Sequence, residues 1–262
     1  MKKFFFLATT AAMLILSSCK KDNVDGPNPN PDTDPKPSPS EKVLKKMTKI
    51  KNGATTVYTL AYNGSKRLVS IIADNNIEKT LFSYDAAGNL AQAEQSDEEF
   101  HNIYNYVFVD NVPKSARFKS WMSRPGKPQE LIEDDLLTYT VENNQVKNIH
   151  LVMQLAENAE TDFGMHYSNG NLTKVTADAP FQYTAEFSFG NKKPVLPAVS
   201  KWVLDHAGFS LQYSAGNEVL SAKFDFPNNN FDRSITSQYT YDANGYVLTS
   251  TDGIATIQFE YE

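Results

Sequence analysis

A short pattern recurs along this chain and restricts what it can become. Two aromatic residues stand one position apart, a turn carrying glycine or asparagine follows, and an aliphatic segment comes next. Ser237–Ser250 holds it most clearly. Tyr239 and Tyr241 share one face of a strand, because side chains alternate at period two. Asp242-Ala243-Asn244-Gly245 turns the chain, with Gly245 free to take a positive φ. Tyr246-Val247-Leu248-Thr249 leaves in residues that suit a pleated surface. The unit is a β-hairpin.

Copies are found throughout. Tyr58/Leu60/Tyr62 precede Gly64, Phe82/Tyr84 precede Gly88, Phe163/Met165/Tyr167 precede Gly170, and Phe209/Leu211/Tyr213 precede Gly216. Weaker copies place Asn143-Asn144 after Tyr139, Gly190 after Phe189, and Val112-Pro113 where a glycine turn should follow Phe108; asparagine tolerates positive φ next best. The anchoring aromatics fall at 62, 84, 108, 139, 167, 189, 213 and 241, a spacing of one hairpin plus its connection, so about eight hairpins are implied. Phe181-Gln-Tyr183-Thr-Ala185-Glu-Phe187-Ser-Phe189 alternates cleanly at period two. The best helical candidate, Glu130–Leu137, is short and reads as one turn. The expected fold is all-β: a curved antiparallel meander sheet, an open barrel-like shell of repeated hairpins. In such a shell the long last strand, Ile254–Glu262, is a free edge that Glu260 and Glu262 blunt.

The tyrosine–aspartate pairs before glycine turns, Tyr84-Asp85 with Gly88 and Tyr241-Asp242 with Gly245, resemble the Rhs/YD repeat. Tyr62-Asn63, Tyr167-Ser168 and Tyr213-Ser214 match without the acid. More narrowly, the chain resembles uncharacterised Bacteroidota lipoproteins built from degenerate repeats of this kind. The resemblance spans Lys42–Glu262 and implies an elongated, curved antiparallel sheet with no known activity. Asp85 and Asp242 themselves read as turn formers that accept backbone N–H groups.

The first residues supply an address. Lys2 and Lys3 precede a largely apolar run of thirteen residues, Phe4 to Leu16, shorter than the roughly 20 a spanning helix needs, so residues 1–18 read as a signal peptide. Leu16-Ser17-Ser18-Cys19 resembles a bacterial lipobox, which implies acylation of Cys19 and an outer-membrane anchor on the periplasmic or surface face. Residues 19–41 carry six prolines between Pro27 and Pro39 and form a disordered, semi-rigid tether. One domain, 42–262, remains. Cys19 is the only cysteine, which excludes disulfides and Cys-based zinc sites. The net charge of −6 argues against nucleic acid, because no basic stripe is present to neutralise phosphates.

No catalytic motif is present, and the chain reads as a non-enzyme without metal or cofactor. His101, His150, His166 and His206 lack metal-ligand spacing. Asp97–Glu99 and Glu133–Asp135 are acids of the kind that hold calcium or pair as a glycosidase acid and base, but without EF-hand spacing they read as solvated loops. Trp121, with Arg124, lies in the longest irregular insertion between repeats; an indole there either stacks on a ligand or caps the sheet. Trp202 invites the same two readings. The functional expectation is an envelope binding or scaffold module for a glycan or peptide, engaged on the concave face or at the edges. A shell around an apolar or lipid guest is the alternative, and an acid-dependent hydrolase is a third.

Overall fold

The computed structural model describes residues 42–177, 182–227 and 232–262. The signal peptide, Cys19 and the tether lie outside the described residues. β1 (Leu44–Lys51) leads into the hairpins β2 (Ala54–Tyr62)–β3 (Leu68–Ala73) and β4 (Lys79–Tyr84)–β5 (Leu90–Ser96). β6 (Phe100–Val109)–β7 (Val112–Met122), β8 (Glu130–Glu142)–β9 (Gln145–Met153) and β10 (Ala159–Ser168)–β11 (Asn171–Ala177) follow. After β12 (Tyr183–Phe189) the chain makes a long excursion, with a 3-10 turn at Ser210–Tyr213, before β13 (Val219–Asp225). β14 (Arg233–Thr236), β15 (Gln238–Tyr241), β16 (Val247–Thr251) and β17 (Ala255–Tyr261) complete it.

The fold is all-β and antiparallel, and the sheet curls into a nearly closed barrel. Each strand from β2 to β14 pairs with its predecessor, and β15, β16 and β17 continue the meander. β17 pairs with β1, setting Met47 opposite Phe259 and Lys49 opposite Ile257. Only Ser237 separates β14, paired to β13, from β15, paired to β16. One bent strand thus changes partner at Ser237, whose N–H donates to the Leu220 carbonyl at 2.7 Å. The expected free edge at Ile254–Glu262 is therefore not an edge. Lys46 meets Glu260 at 2.7 Å and Lys45 meets Glu262 at 2.6 Å across the seam, so these acids join the two ends of the sheet instead of blunting one.

The repeat has a geometric meaning that alternation alone does not reveal. Ladder register shifts at Ala61/Tyr62, Ser83/Tyr84, Val107/Phe108, His166/Tyr167, Ser188/Phe189 and Thr240/Tyr241. Six of the anchoring aromatics thus sit at a β-bulge, where an extra residue bends the strand and increases its twist. Bulges recurring beside the anchor turns curl the sheet. Two of the anchor hydroxyls then lace neighbouring strands: Tyr62 donates to the Leu44 carbonyl at 2.6 Å and Tyr84 to the Leu68 carbonyl at 2.7 Å. Tyr84→Phe is expected to cost about 1 kcal/mol, the usual net worth of one such bond, read as a lower urea midpoint at unchanged slope. A loss below ~0.3 kcal/mol would show that the lacing is incidental.

The turns follow their sequence chemistry. Asp242 Oδ1 accepts the N–H groups of Asn244 at 2.8 Å and Tyr246 at 2.9 Å. Asp85 Oδ1 accepts from Asn89 at 2.8 Å, and Asn63 Oδ1 accepts from Ser65 and Arg67 at 3.0 Å. Asn143 and Asn144 both adopt positive φ, as a two-residue hairpin turn demands. Between β6 and β7 the turn is Asp110-Asn111, again at positive φ, and Val112-Pro113 already opens β7.

Two segments depart from expectation. Glu130–Leu137 is not a helical turn but the first part of β8, hydrogen-bonded to β7 on one side and β9 on the other. Tyr213 anchors no hairpin; it lies in the 3-10 turn of the 190–218 excursion. Phe209, Leu211 and Tyr213 fit the repeat spacing but project into the barrel and are buried. This excursion is a plug. Phe209 stacks near Tyr104 (centroids 5.8 Å) and Tyr213 meets Phe82 edge-on (5.0 Å). Tyr139 donates to the Leu204 carbonyl at 2.8 Å, Tyr183 donates to the His206 carbonyl, and the His206 ring stacks on Phe163 at 3.8 Å. Burial pushes the His206 pKa down to about 4, against the pull of Asp205, and so keeps the imidazole neutral.

The core therefore lies inside the barrel. Apolar side chains from the inner wall and from the plug pack into one cluster. Charged residues stand on the outer wall, among them the pairs Arg117–Asp134 (2.7 Å) and Lys174–Glu186 (3.2 Å) in mid-strand. A lipid-facing barrel has the opposite polarity, and Lys or Arg at a bilayer midplane costs ~2–4 kcal/mol. This wall is built to face water.

Candidate functional site

The two ends of the barrel differ. At one end lie the anchor turns, both mouths of the plug segment, and the described chain ends, where Val43 and Glu262 exchange backbone hydrogen bonds of 2.8 and 3.0 Å. The other end is formed by the opposite turns, including those between β5 and β6 and between β7 and β8. There the ladders of β6, β7 and β8 present two unlike faces.

On the inner face, Asn102 stands opposite Ser120, and Ser120 stands opposite Glu133. Two residues further along β8, Asp135 faces Phe118, itself opposite Tyr104. Asn102 is 8% and Ser120 0% exposed, and neither Asn102 Oδ1 nor Ser120 Oγ has a hydrogen-bond partner. Burial, then the charge of Asp135, pushes the Glu133 carboxyl up to about 8. Burial, then the charge of Asp134, pushes Asp135 up to about 7. Among the described residues no cationic side chain pairs with either acid. Asp134 points the other way. On the outer face Arg117 donates to it through two nitrogens (2.8 and 2.7 Å) and Lys119 approaches to 3.5 Å; the Arg117 bond holds its carboxyl below the usual range. The three consecutive acids are thus not one solvated loop: alternation on β8 sends two inward and one outward.

The outer face carries a second row. His101 Nε2 lies 2.9 Å from Glu94 Oε1, and the His101 ring stacks on Trp121, centroids 5.4 Å apart. Trp121 closes β7 and does not lie in an irregular insertion; the longest irregular stretch among the described residues is the plug. Arg124 occupies the exposed β7–β8 turn, with Nη1 3.4 Å from Glu130 and Nε 3.2 Å from Met122 sulfur. Trp121 and Arg124 therefore share one rim. Trp202 does not join them: it is 3% exposed within the plug, so its indole offers no surface to a ligand in solution.

The remaining candidates are structural. Asp97 accepts the N–H groups of Glu99 and Phe100 at 2.8 and 2.7 Å, closing the β5–β6 turn. His166 lies beside Thr176 on the exposed face and His150 beside Asp162. Cavities of about 70 and 60 Å³ lie between plug and wall, against ~300–1,000 Å³ for ordinary small-molecule sites. The inward acid pair was hidden in the sequence because Glu130–Leu137 lacks apolar alternation. The signal was present further on, where Leu137, Tyr139 and Val141 share the parity of Glu133 and Asp135.

Comparison with known proteins bears on the architecture. No protein-family model matches the chain, and no curated protein matches its sequence. In three dimensions it is similar to a porin-like protein from Bacteroides vulgatus, at 10% identity and a TM-score of 0.54, over 85% of this chain and 99% of that one. A porin-like protein from Bacteroides uniformis aligns at 15% identity and a TM-score of 0.47, over 83% and 96% of the two chains. At such identity the first of these likenesses establishes the fold alone, an antiparallel β-barrel.

Proposed function

We propose that the protein is a non-enzymatic binding module of the cell envelope, held to the outer membrane by a lipid on Cys19, which engages its ligand with the barrel rim formed by β6, β7 and β8. The observation that carries this reading is the segregation of the two ends. The chain enters at Lys42 beside the anchor turns, so a membrane tether there points the opposite rim outward. That rim carries Trp121 and the exposed Arg124 on its outer side, with the inward polar residues Asn102, Ser120, Glu133 and Asp135 behind them. The charged outer wall argues against a pore, and the plug occupies the space an apolar guest would need. Curling into a barrel also removes the concave face and the free edges, so the ligand is best seen as a glycan or peptide terminus meeting a rim. The tyrosine–aspartate turns support kinship with Rhs/YD repeats as part of the same proposal.

A glycan array and a pull-down with the purified full-length chain test the reading. Binding that Trp121→Ala/Arg124→Ala weakens at least tenfold is the expected result. No binder at millimolar glycan or micromolar protein would overturn it.

A further inference from the structure

We propose that Asn102, Ser120, Glu133 and Asp135 form a calcium site on the inner wall near the rim. The four residues lie on one face of three adjacent strands. Directly opposed residues bring their Cβ atoms to ~4.5–5.5 Å, which places Ser120 between Asn102 and Glu133. Glu133 and Asp135 are separated by about 6.6 Å of strand rise. Two oxygens bound across one calcium ion lie about 5 Å apart, a gap the two carboxylates close by leaning toward each other.

Three observations point to a cation site and not merely to acids on a wall. Asn102 Oδ1 and Ser120 Oγ are buried and unpartnered, and each such group costs about 1–3 kcal/mol. No cationic side chain pairs with Glu133 or Asp135 among the described residues; Arg117 and Lys119 are engaged by Asp134 on the opposite face. Glu133 is only half-buried, so water has access to complete a coordination shell. The plug acid, Asp205, contrasts: its carboxylate accepts the N–H groups of Gly208, Phe209 and Ser210.

The donor set selects the ion. Two carboxylates, an amide oxygen and a hydroxyl are hard oxygen ligands, which suit calcium with its six to eight ligands at 2.3–2.6 Å. Zinc and copper favour imidazole or thiolate; His101 projects outward, and Cys19 is the only thiol in the chain. Among the described residues no group of three or more His, Cys, Asp or Glu is gathered for a metal, so two neutral oxygens make up the set. Two negative charges on a partly hydrated site place the affinity in the ~10⁻⁴–10⁻³ M range of extracellular calcium modules. This inference stands apart from the rim-ligand reading: the ion binds whether or not a glycan does.

The test is a calcium titration of the full-length chain after chelator treatment, followed by terbium luminescence sensitised by Tyr104 and by the unfolding midpoint. Wild type is expected to show saturable terbium emission, displaced by millimolar calcium but not by equal magnesium, and a higher midpoint with calcium. Glu133→Gln/Asp135→Asn should lose the emission and the shift together. Asn102→Ala, which keeps both acids and the fold, should weaken calcium about tenfold. No calcium-dependent shift at 10 mM in wild type, an equal shift in the acid variant, or equal displacement by magnesium would each overturn the proposal.

Discussion

Asp205→Ala is expected to remove about 3–5 kcal/mol of stability. Asp205 is 1% exposed, and its carboxylate gathers the backbone N–H groups of Gly208 (2.7 Å), Phe209 (3.0 Å) and Ser210. Ser210 Oγ returns the arrangement by accepting from Leu204 at 2.8 Å and from Asp205 at 3.1 Å. Alanine would strand three buried donors, each worth ~1–3 kcal/mol when unsatisfied, less whatever local relaxation recovers. The loss should fall on the plug as a unit, because this turn presents Phe209 to Tyr104 and the Leu204 carbonyl to Tyr139. Urea unfolding gives the magnitude. The fluorescence of neighbouring Trp202 gives the mechanism: a red shift in native buffer means the plug has left the lumen. Asp205→Asn, which retains one acceptor oxygen, should cost roughly half as much. A loss under ~1 kcal/mol for alanine would mean that the barrel does not depend on its plug.

The second large effect concerns pH. In chelator, the stability that Glu133 and Asp135 contribute should fall as pH rises from about 4 to about 8. Buried His206, its pKa pushed down to about 4 from 6.5, acts in the opposite sense up to its ordinary value. The difference between wild type and the acid variant isolates the first effect. Glu133 and Asp135 have folded pKa values raised to about 8 and about 7 from ordinary values of 4.5 and 3.8. Both acids are protonated in folded and unfolded chains at low pH. Between the unfolded and folded values the native state holds the extra protons, so its advantage is complete below the unfolded pKa and is lost as pH passes the folded one. Each tenfold difference in proton affinity between the two states is worth about 1.4 kcal/mol. The two sites repel each other and Glu133 is half-hydrated, so the combined loss should be nearer ~2–4 kcal/mol than the simple sum. Glu133→Gln/Asp135→Asn should flatten this limb and exceed wild type at pH 8.5 while matching it within ~1 kcal/mol at pH 5. Parallel pH profiles for the two proteins would show that these carboxyls are already hydrated.

Much of the wall was legible residue by residue. Asp242, Asp85 and Asn63 act on N–H groups two to four positions ahead, and such contacts are written in adjacent sequence. Tyr239 and Tyr241 share a face for the same local reason. Phe209 and Tyr213 show where this reasoning fails. Their spacing satisfies a strand as well as a loop, and what placed them in the lumen is a set of partners far away, Tyr104 and Phe82. Glu133 and Asp135 failed for a related reason: acids at inward positions look solvated until the neighbouring strands are known.

The chain by itself determined most of its strands and the turns that join them, because these depend on residues within a few positions. Closure of β1 onto β17, the filling of the lumen by residues 190–218, and the burial of two acids without a counter-charge were decided only in three dimensions. Each depends on contacts between segments tens to hundreds of residues apart, where the free energy of packing a shared interior outweighs what any local pattern prescribes.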